Sequence, residues 1–344
     1  MRFQVSRRQF LTGALASACG LAVYSPIAAF AEKVGPWDLI QIDGREYVSV
    51  ESVKSFYNFT KASRVGSNVV LENAKVEMRL NLGANECLMN NVKFVFSHPV
   101  EERGGKAYVS RIDLAKLIDP VLRPNFINNA GDFRTVIIDP GHGGKDAGAT
   151  NSIGTEANYN LRLGLNLKKM LEGKGFKVIM TRTSDVYLSL QERVDLANAV
   201  RENAIFISLH FNSGGSSARG IETFTLSPPG VSHYGSDYKP SDSQVRAGNE
   251  HDSANIALAT ALHGSMLRRL GKNTFDRGIK RARFSVLSGV SHPAILFEGG
   301  FMSHPYEARL IDNPAYQEAL ANGVIDAITK YRYAVSRSPQ QAKQ

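Results

Sequence analysis

Runs of apolar residues alternate with longer amphipathic stretches over the C-terminal two thirds of the chain. The apolar runs are short and rich in β-branched residues, as buried strands are, and the stretches between them repeat their apolar positions with helical spacing. Strands are predicted at 134–139, 176–181, 204–209, 221–226 and 293–298, and helices at about 156–173, 189–201, 253–270 and 313–332. This alternation predicts an α/β domain with a mostly parallel sheet and helices on both faces.

The N-terminal third of the chain has shorter strands and smaller helices. A Tyr-Val-Ser unit followed by a helical stretch occurs there twice, at 47–49 and at 108–110, which indicates an internal duplication in a small α+β domain. A turn-rich segment follows it. We therefore predict an accessory domain over 32–124, a linker over 125–133, a catalytic domain over 134–333 and a disordered tail over 334–344.

The first 31 residues have the features of an export signal. Paired arginines, Arg7 and Arg8, precede an apolar segment, and the segment ends at Ala29-Phe30-Ala31. The arginine pair is typical of the twin-arginine type of signal. We expect cleavage after Ala31, a location in the periplasm or cell envelope, and contact with the membrane only during export. The alternative is an uncleaved membrane anchor, although the apolar run is short for a span.

Composition and charge describe an ordinary globular protein. Of the 344 residues, 43% are hydrophobic and 21% are charged, and the net charge of +9 suits an anionic polymer. No basic run with interleaved aromatic residues is present, so nucleic acid is not an expected partner. Cys87 is the only cysteine beyond the predicted signal, which excludes an intrachain disulfide in the exported chain.

Two histidines and two glutamates lie at comparable ends of the predicted elements. His142 follows the first strand after an abrupt Asp-Pro-Gly turn, and His210 follows the strand at 204–209. Glu156 begins a helix, and Glu298 ends an apolar strand. Ligands of open α/β sheets bind beyond the carboxyl ends of the strands, so these side chains could surround one metal ion. The pattern predicts a metal-dependent hydrolase.

Each of these residues also has a purely structural interpretation. A histidine at a strand end is often held by hydrogen bonds, and a glutamate such as Glu156 favours the first turn of a helix. Glu298 ends a buried run, so it must be paired, solvated or catalytic. Asp139 either belongs to the turn before the following proline or orients a ligand histidine. The residues leave both alternatives open.

Residues 134–333 resemble the zinc-dependent N-acetylmuramoyl-L-alanine amidases of the Amidase_3 family. The resemblance extends over nearly all of this stretch, and its motifs keep their order. The matching segments are Ile138–Asp146, Gly154–Glu156 with Asn160-Leu161, Thr181-Arg182, Leu190 with Arg193 and Ala197-Asn198, Ser208–Asn212, Gly220–Phe224, Arg277–Ile279, Phe284–Leu287 and Pro293–Ser303.

The resemblance implies a role for each candidate. His142, Glu156 and His210 would hold Zn²⁺, and Glu298 would act on the attacking water. The expected reaction is hydrolysis of the amide between N-acetylmuramic acid and L-alanine in peptidoglycan, during cell-wall remodelling or daughter-cell separation. Supporting or substrate-contacting roles are expected for three further residues, which are Asp139, Asn212 and Arg283.

Two alternatives to this enzyme are kept: a catalytically inactive scaffold that binds the cell wall, and a zinc amidohydrolase for a small amide. The N-terminal domain resembles the module at the start of copper amine oxidases, and we expect it to bind the wall or act as a spacer. The polar segment 226–252 is expected to be a long surface loop beside the site. Some relatives carry an insertion near this position that blocks the site until a partner moves it, so a protein activator is a further expectation.

Overall fold

The computed structural model describes residues 37–128 and 130–336. The predicted export signal and residues 337–344 of the predicted tail lie outside the described residues. The described residues divide into two compact units, one that runs up to Asn91 and includes Phe96–Leu122, and the other made of Val92–Val95 and the described residues from Arg123 onward. None of the helices in the described ranges combines the length and the apolar character needed to cross a bilayer.

The strands and helices are numbered in chain order across both units. The strands are β1 (Leu39–Ile42), β2 (Arg45–Ser49), β3 (Lys61–Val65), β4 (Asn68–Glu72), β5 (Glu77–Asn81), β6 (Glu86–Met89), β7 (Val92–Val95), β8 (Glu101–Arg103), β9 (Lys106–Ser110), β10 (Thr135–Pro140), β11 (Lys177–Met180), β12 (Ala204–Asn212), β13 (Ile221–Leu226), β14 (Asp276–Ala282) and β15 (Ala294–Phe301). The α-helices are α1 (Val50–Phe56), α2 (Arg111–Asp113), α3 (Asp119–Leu122), α4 (Glu156–Glu172), α5 (Leu190–Asn198), α6 (Asp252–Leu270), α7 (Ser285–Gly289), α8 (Pro305–Asp312) and α9 (Pro314–Ser336). A π-helical segment, Leu114–Ile118, joins α2 to α3, and short 3₁₀ turns lie at Pro124–Phe126, Pro240–Ser243, Ala247–His251 and Gly271–Asn273.

The first unit contains antiparallel strands and short helices. One sheet has the order β1-β2-β9-β8, and β3 to β6 pair in sequence. The repeated Tyr-Val-Ser units end β2 and β9, which are neighbours in the first sheet. Ser49 and Ser110 then cap α1 and α2 in the same way, each accepting a hydrogen bond from the backbone three residues on. The two copies of the motif therefore form equivalent strand-to-helix connections.

The second unit is built on a mixed, mostly parallel sheet. Its strand order is β11-β10-β12-β15-β13-β14-β7, and every neighbouring pair is parallel except β13 with β15. The strands β10, β12 and β15 are buried along nearly their whole length, as expected for strands covered on both faces. This architecture confirms the predicted fold class.

Helices cover both faces of this sheet. On one face, α4 and α6 pack on the strands and α9 packs against both helices, where Gly164 of α4 lies against Ile138 and Gly323 of α9 lies against Met266. On the other face, α5 packs against α7 over an apolar cluster that includes Phe206 and Leu296. Because alternate residues of a strand share a face, His210 of β12 lies on the same face as Phe206, and Glu298 of β15 lies on the same face as Leu296.

Two details differ from the sequence prediction. The strand β14 and the helix α8 were not predicted, and β14 is difficult to recognise because it contains Arg277, Lys280 and Arg281. The strands β12 and β15 each extend three residues further than predicted, with a register irregularity between His210 and Asn212. His210 and Glu298 consequently lie within strands near their carboxyl ends, not beyond them.

Candidate metal centre

His142 lies in the loop that leaves β10. Its backbone is left-handed, with φ of 61°, which is uncommon for a residue other than glycine. Its Nδ1 atom lies 2.9 Å from Oδ2 of Asp146, whose Oδ1 accepts a hydrogen bond from the backbone of Gly148. Asp146 therefore engages Nδ1, and the Nε2 atom of His142 faces Glu156 at 3.2 Å.

Glu156 is the first residue of α4, and its side chain is almost fully buried. Thr155 caps the helix by accepting a hydrogen bond from the Asn158 backbone. Oε2 of Glu156 accepts a hydrogen bond from the Ala149 backbone, and Oε1 accepts one from the Phe211 backbone. These contacts fix the carboxylate where the loop from β10 and the strand β12 meet.

His210 completes the group from β12. Its Nδ1 atom lies 2.9 Å from Oε1 of Glu156, and its ring is nearly perpendicular to that of His142, with 5.1 Å between the ring centroids. One ligand atom from each of His142, Glu156 and His210 lies within 4.8 Å of the others. The ring also packs directly on Gly141, where a Cβ atom would lie 2.1 Å from Cε1 of His210.

The electrostatics of the trio suit a bound cation. Burial alone would raise the pKa of Glu156, but hydrogen bonds and charge interactions with His142 and His210 hold that pKa far below its usual value. Burial alone would lower the pKa of His142, and Glu156 and Asp146 raise it instead. Within the described ranges, no lysine or arginine forms an ion pair with Glu156, so the two imidazoles are the only side chains there that could balance its charge. Two imidazole nitrogens and a carboxylate are a donor set that catalytic zinc uses, so the residues fit the ion.

Glu298 lies beside the trio on β15. It is the register partner of His210 on one side and of Glu222 on the other. Its Oε2 atom is buried and has no hydrogen-bond partner in the part of the chain that the structure describes. Burial raises the pKa of Glu298 well above its usual value, and the charges of Glu156 and Glu222 add to the rise. A carboxyl group in this environment is suited to accept and return a proton.

Glu222 was not identified from the sequence. It is buried in β13 and forms ion pairs with Arg277 and with Lys280, the latter at 3.0 Å. Asp146 was also missed, although it is part of the motif that contains His142 and stands four residues after it. That spacing in a glycine-rich loop was the available signal, because metal-binding histidines commonly donate their second nitrogen to a carboxylate.

Of the three further candidates, none contacts the trio directly. Asp139 is buried and accepts hydrogen bonds from Thr181, from Ser208 and, at 2.7 Å, from Nη1 of Arg193, and none of its bonds reaches a histidine. Oδ1 of Asn212 accepts a hydrogen bond from the next backbone amide. The structure does not bring Arg283 to the trio, because its guanidinium bonds to carbonyl groups of the segment after β13 and to Asp242.

The strand register gives the position of the long loop between β13 and α6, which the sequence predicts to lie beside the site. Because β13 is antiparallel to β15, Glu222 lies opposite Glu298 and Leu226 lies opposite the start of β15. Four residues of strand place Leu226 about 13 Å from Glu222, toward the other end of the sheet. Among the described residues, no hydrogen bond or ion pair joins the loop to the trio or to Glu298. One of its contacts is that of the Tyr234 ring, 4.4 Å from Nζ of Lys280. The register therefore places the start of this loop away from the trio, which differs from the expectation that the loop lies beside the site.

Residues 136–330 match the sequence profile of Amidase_3, described as N-acetylmuramoyl-L-alanine amidase. Among individual proteins, the chain is 31% identical over 198 residues to the uncharacterised protein YqiI of Bacillus subtilis, which covers 58% of this chain and 84% of YqiI. It is 28% identical over 208 residues to the N-acetylmuramoyl-L-alanine amidase LytC of Bacillus subtilis, which covers 60% of this chain and 37% of LytC.

Among solved structures, the chain is similar to the catalytic domain of CwlV, an N-acetylmuramoyl-L-alanine amidase from Bacillus (Paenibacillus) polymyxa. The sequence identity is 29%, the TM-score is 0.49, and the match covers 59% of this chain and 99% of that one. The residues that match the profile, 136–330, all belong to the second unit. The resemblance of the N-terminal domain to the copper amine oxidase module is therefore untested.

Proposed function

The chain belongs to the Amidase_3 family of N-acetylmuramoyl-L-alanine amidases, and we propose that its second unit hydrolyses the amide between N-acetylmuramic acid and L-alanine in peptidoglycan. The observation that carries the proposal is the convergence of His142, Glu156 and His210 next to the buried, unpartnered Oε2 atom of Glu298. A purely structural cluster would not need an unpaired acid at this position, because an unsatisfied buried group is costly.

The three ligands in this proposal are Nε2 of His142, a carboxylate oxygen of Glu156 and Nδ1 of His210, and the ion is Zn²⁺. When bound, zinc lowers the pKa of a water molecule and polarises a carbonyl group. The chain contributes the geometry: Asp146 engages the other nitrogen of His142, and backbone amides hold both oxygens of Glu156. Glu156 stays ionised because its pKa is lowered, which keeps it available as a ligand.

Glu298 performs the proton transfers in this proposal. As the water oxygen bonds to the amide carbon, one O–H bond breaks and Oε2 of Glu298 takes the proton. As the C–N bond breaks, Glu298 returns that proton to the alanine nitrogen. The products are the lactyl carboxylic acid of the sugar, which then loses its remaining proton to the solvent, and a peptide with a free amino terminus. The raised pKa of Glu298 favours its holding the proton between the two transfers.

We also propose roles for the N-terminal segments of the chain. The signal over residues 1–31 would export the enzyme to the periplasm or envelope, where peptidoglycan lies. The domain over 32–124 would bind or space the enzyme on the wall. A protein activator remains an expectation from the family resemblance, and the loop after β13 no longer supports it.

The test is product analysis on purified peptidoglycan with the zinc-loaded full chain. We expect new L-alanine amino termini and free lactyl groups, loss of both signals with a chelator, and recovery on adding zinc. Glu298→Gln should lower the rate about 10²- to 10⁴-fold while zinc stays bound, since general acid–base catalysis contributes about that much. His210→Ala should lose zinc and activity together.

The matched control is His251→Ala, which removes a histidine that contacts Ser291 instead of the trio. It should keep both zinc and activity. Binding of peptidoglycan without release of amino termini by the zinc-loaded protein would favour the wall-binding scaffold instead. Release of amino termini that continues in the chelated protein would contradict the metal-dependent reaction.

A further inference from the structure

The loop that carries His142 is held by two buried arginines. Arg182 follows β11, and its guanidinium donates to the carbonyl oxygens of Pro140, Gly141 and Ala157, each at 2.8 Å. Since Ala157 is the residue after Glu156, this one side chain joins the loop of the first ligand to the helix of the second.

Arg193 holds the same loop from the helix α5. Its Nη1 atom donates to Oδ1 of Asp139 at 2.7 Å and to the carbonyl of Pro140 at 2.8 Å, and its Nη2 atom donates to the carbonyl of His142 at 2.7 Å. The carbonyl oxygens of Pro140, Gly141 and His142 therefore each accept a hydrogen bond from a guanidinium group. These are the peptide groups around the left-handed backbone of His142.

Stability alone does not account for this arrangement. Both arginines are at most 3% exposed, and Asp139 is the one carboxylate that pairs with either of them among the described residues. Burial, together with the charge of Arg193, lowers the pKa of Arg182. Removing two cations from water has a large unfavourable free energy, and a single carboxylate offsets it only in part. Apolar residues would fill the same space without this desolvation penalty.

The guanidinium group is well suited to hold several backbone carbonyl groups at once. It is planar and presents several N–H donors at fixed angles, so one side chain can fix two or three carbonyl groups relative to each other. An ammonium group gives no such planar set. A left-handed histidine is disfavoured on its own, so the surrounding contacts must maintain it.

We propose that Arg182 and Arg193 are positioning residues that hold His142 in its left-handed conformation, so that Nε2 already faces Glu156 and His210 before the metal binds. This rests on the proposed function, in which the trio is the zinc site. Ligands held in advance bind more tightly because less ordering accompanies binding.

The experiment compares metal binding with folding in the full chain. The metal-free protein is titrated with Zn²⁺ against a chromophoric chelator, and the absorption spectrum of Co²⁺ in the same site reports ligand geometry. The variants are Arg182→Lys and Arg193→Lys. The control is Arg162→Lys, which also removes an arginine that donates to carbonyl groups, those of Ile311 and Asp312, away from the trio.

We expect each test variant to bind Zn²⁺ about 10- to 100-fold more weakly and to give an altered Co²⁺ spectrum, as loss of a supporting contact commonly does. The control should match the wild type. Unchanged affinity and spectrum, with only a lower melting temperature of the metal-free protein, would show that the arginines are structural and would overturn the proposal.

Two further outcomes are kept separate. If the wild type binds neither Zn²⁺ nor Co²⁺, the proposed function fails, and the positioning role fails with it. If the wild type binds metal and cleaves peptidoglycan while both lysine variants bind equally well, only the positioning role fails. Should a lysine variant not fold, the glutamine variant at the same position, Arg182→Gln or Arg193→Gln, replaces it, and it should weaken Zn²⁺ binding in the same way because one amide group cannot donate to as many carbonyl groups as a guanidinium does.

Discussion

Gly141→Ala is a test of the candidate metal centre that changes none of the proposed ligands. A Cβ atom built on Gly141 lies 2.1 Å from Cε1 and 2.3 Å from Nε2 of His210, whereas ordinary contacts begin at about 3.4 Å. The imidazole ring must therefore move by more than about 1 Å or the backbone must shift, because contacts this short are not tolerated. The ring has little freedom to move, since its Nδ1 atom is engaged by Glu156.

The size of the effect follows from the tolerance of metal coordination. Ligand distances in a functional site stay within about 0.2 Å of their ideal values, so a displacement of about 1 Å removes His210 from coordination. Changes to supporting residues cost about 10- to 100-fold in affinity, and loss of a ligand should cost more. We expect zinc binding at least about 100-fold weaker, which corresponds to about 2.7 kcal/mol.

The assay is competition titration with a chromophoric chelator, followed by thermal unfolding of the metal-free protein. Gly215→Ala is the matched control, because a Cβ atom at Gly215 meets no other atom within 4 Å. The control should keep wild-type affinity. If Gly141→Ala also binds zinc as tightly as the wild type, His210 is not a ligand in the geometry described here.

Two further predictions concern Glu298 and the loop after β13. In the metal-free protein, burial and the charges of Glu156 and Glu222 raise the pKa of Glu298 above its value in the unfolded chain. The neutral form of Glu298 therefore contributes to the free energy of unfolding at low pH, and this contribution is lost as the pH rises through the raised pKa. Urea unfolding between about pH 5 and pH 9 should show this loss in the wild type and a weaker one in Glu298→Gln, and identical pH profiles would contradict the assignment. Shortening the loop by removing residues 235–244 should leave peptidoglycan hydrolysis unchanged and lower the free energy of unfolding, because the ion pair between Arg283 and Asp242 is lost. Faster hydrolysis by the shortened chain would indicate that the loop inhibits the enzyme.

The convergence of the two histidines, which the sequence predicts, depends on one property of parallel sheets. His142 follows β10 and His210 lies near the carboxyl end of β12; these strands are parallel neighbours, so their carboxyl ends meet at the same edge of the sheet. Glu156 begins the helix that follows β10, and its role as a ligand was implied by the family resemblance. The helix cap at Thr155 can be recognised for a different reason, because capping is determined by a few adjacent residues.

The supporting residues could not be predicted in this way, because their roles depend on contacts distant in sequence. Arg193 lies on a helix about fifty residues after Asp139 and bonds to the backbone around His142, and nothing in its own helix indicates a buried side chain. The strand β14 was hidden by Arg277 and Lys280, which read as surface residues. They are accommodated because Glu222 pairs with both, and that pairing is visible only when the neighbouring strands are in place.

The reversal of direction at β13 had a signal in the sequence, and it explains both the environment of Glu298 and the position of the loop. Only residues 213–220 separate β12 from β13, whereas a crossover between parallel strands needs about a dozen residues or more. A strand reached by so short a connection runs antiparallel to the strand before it. Because β15 is parallel to β12, β13 is antiparallel to β15. This direction brings Glu222 opposite Glu298, where its charge adds to the rise in the pKa of Glu298. It also means that the chain leaves β13 at the end of the sheet away from His142 and His210, so a loop that starts there begins on the side opposite the metal ligands.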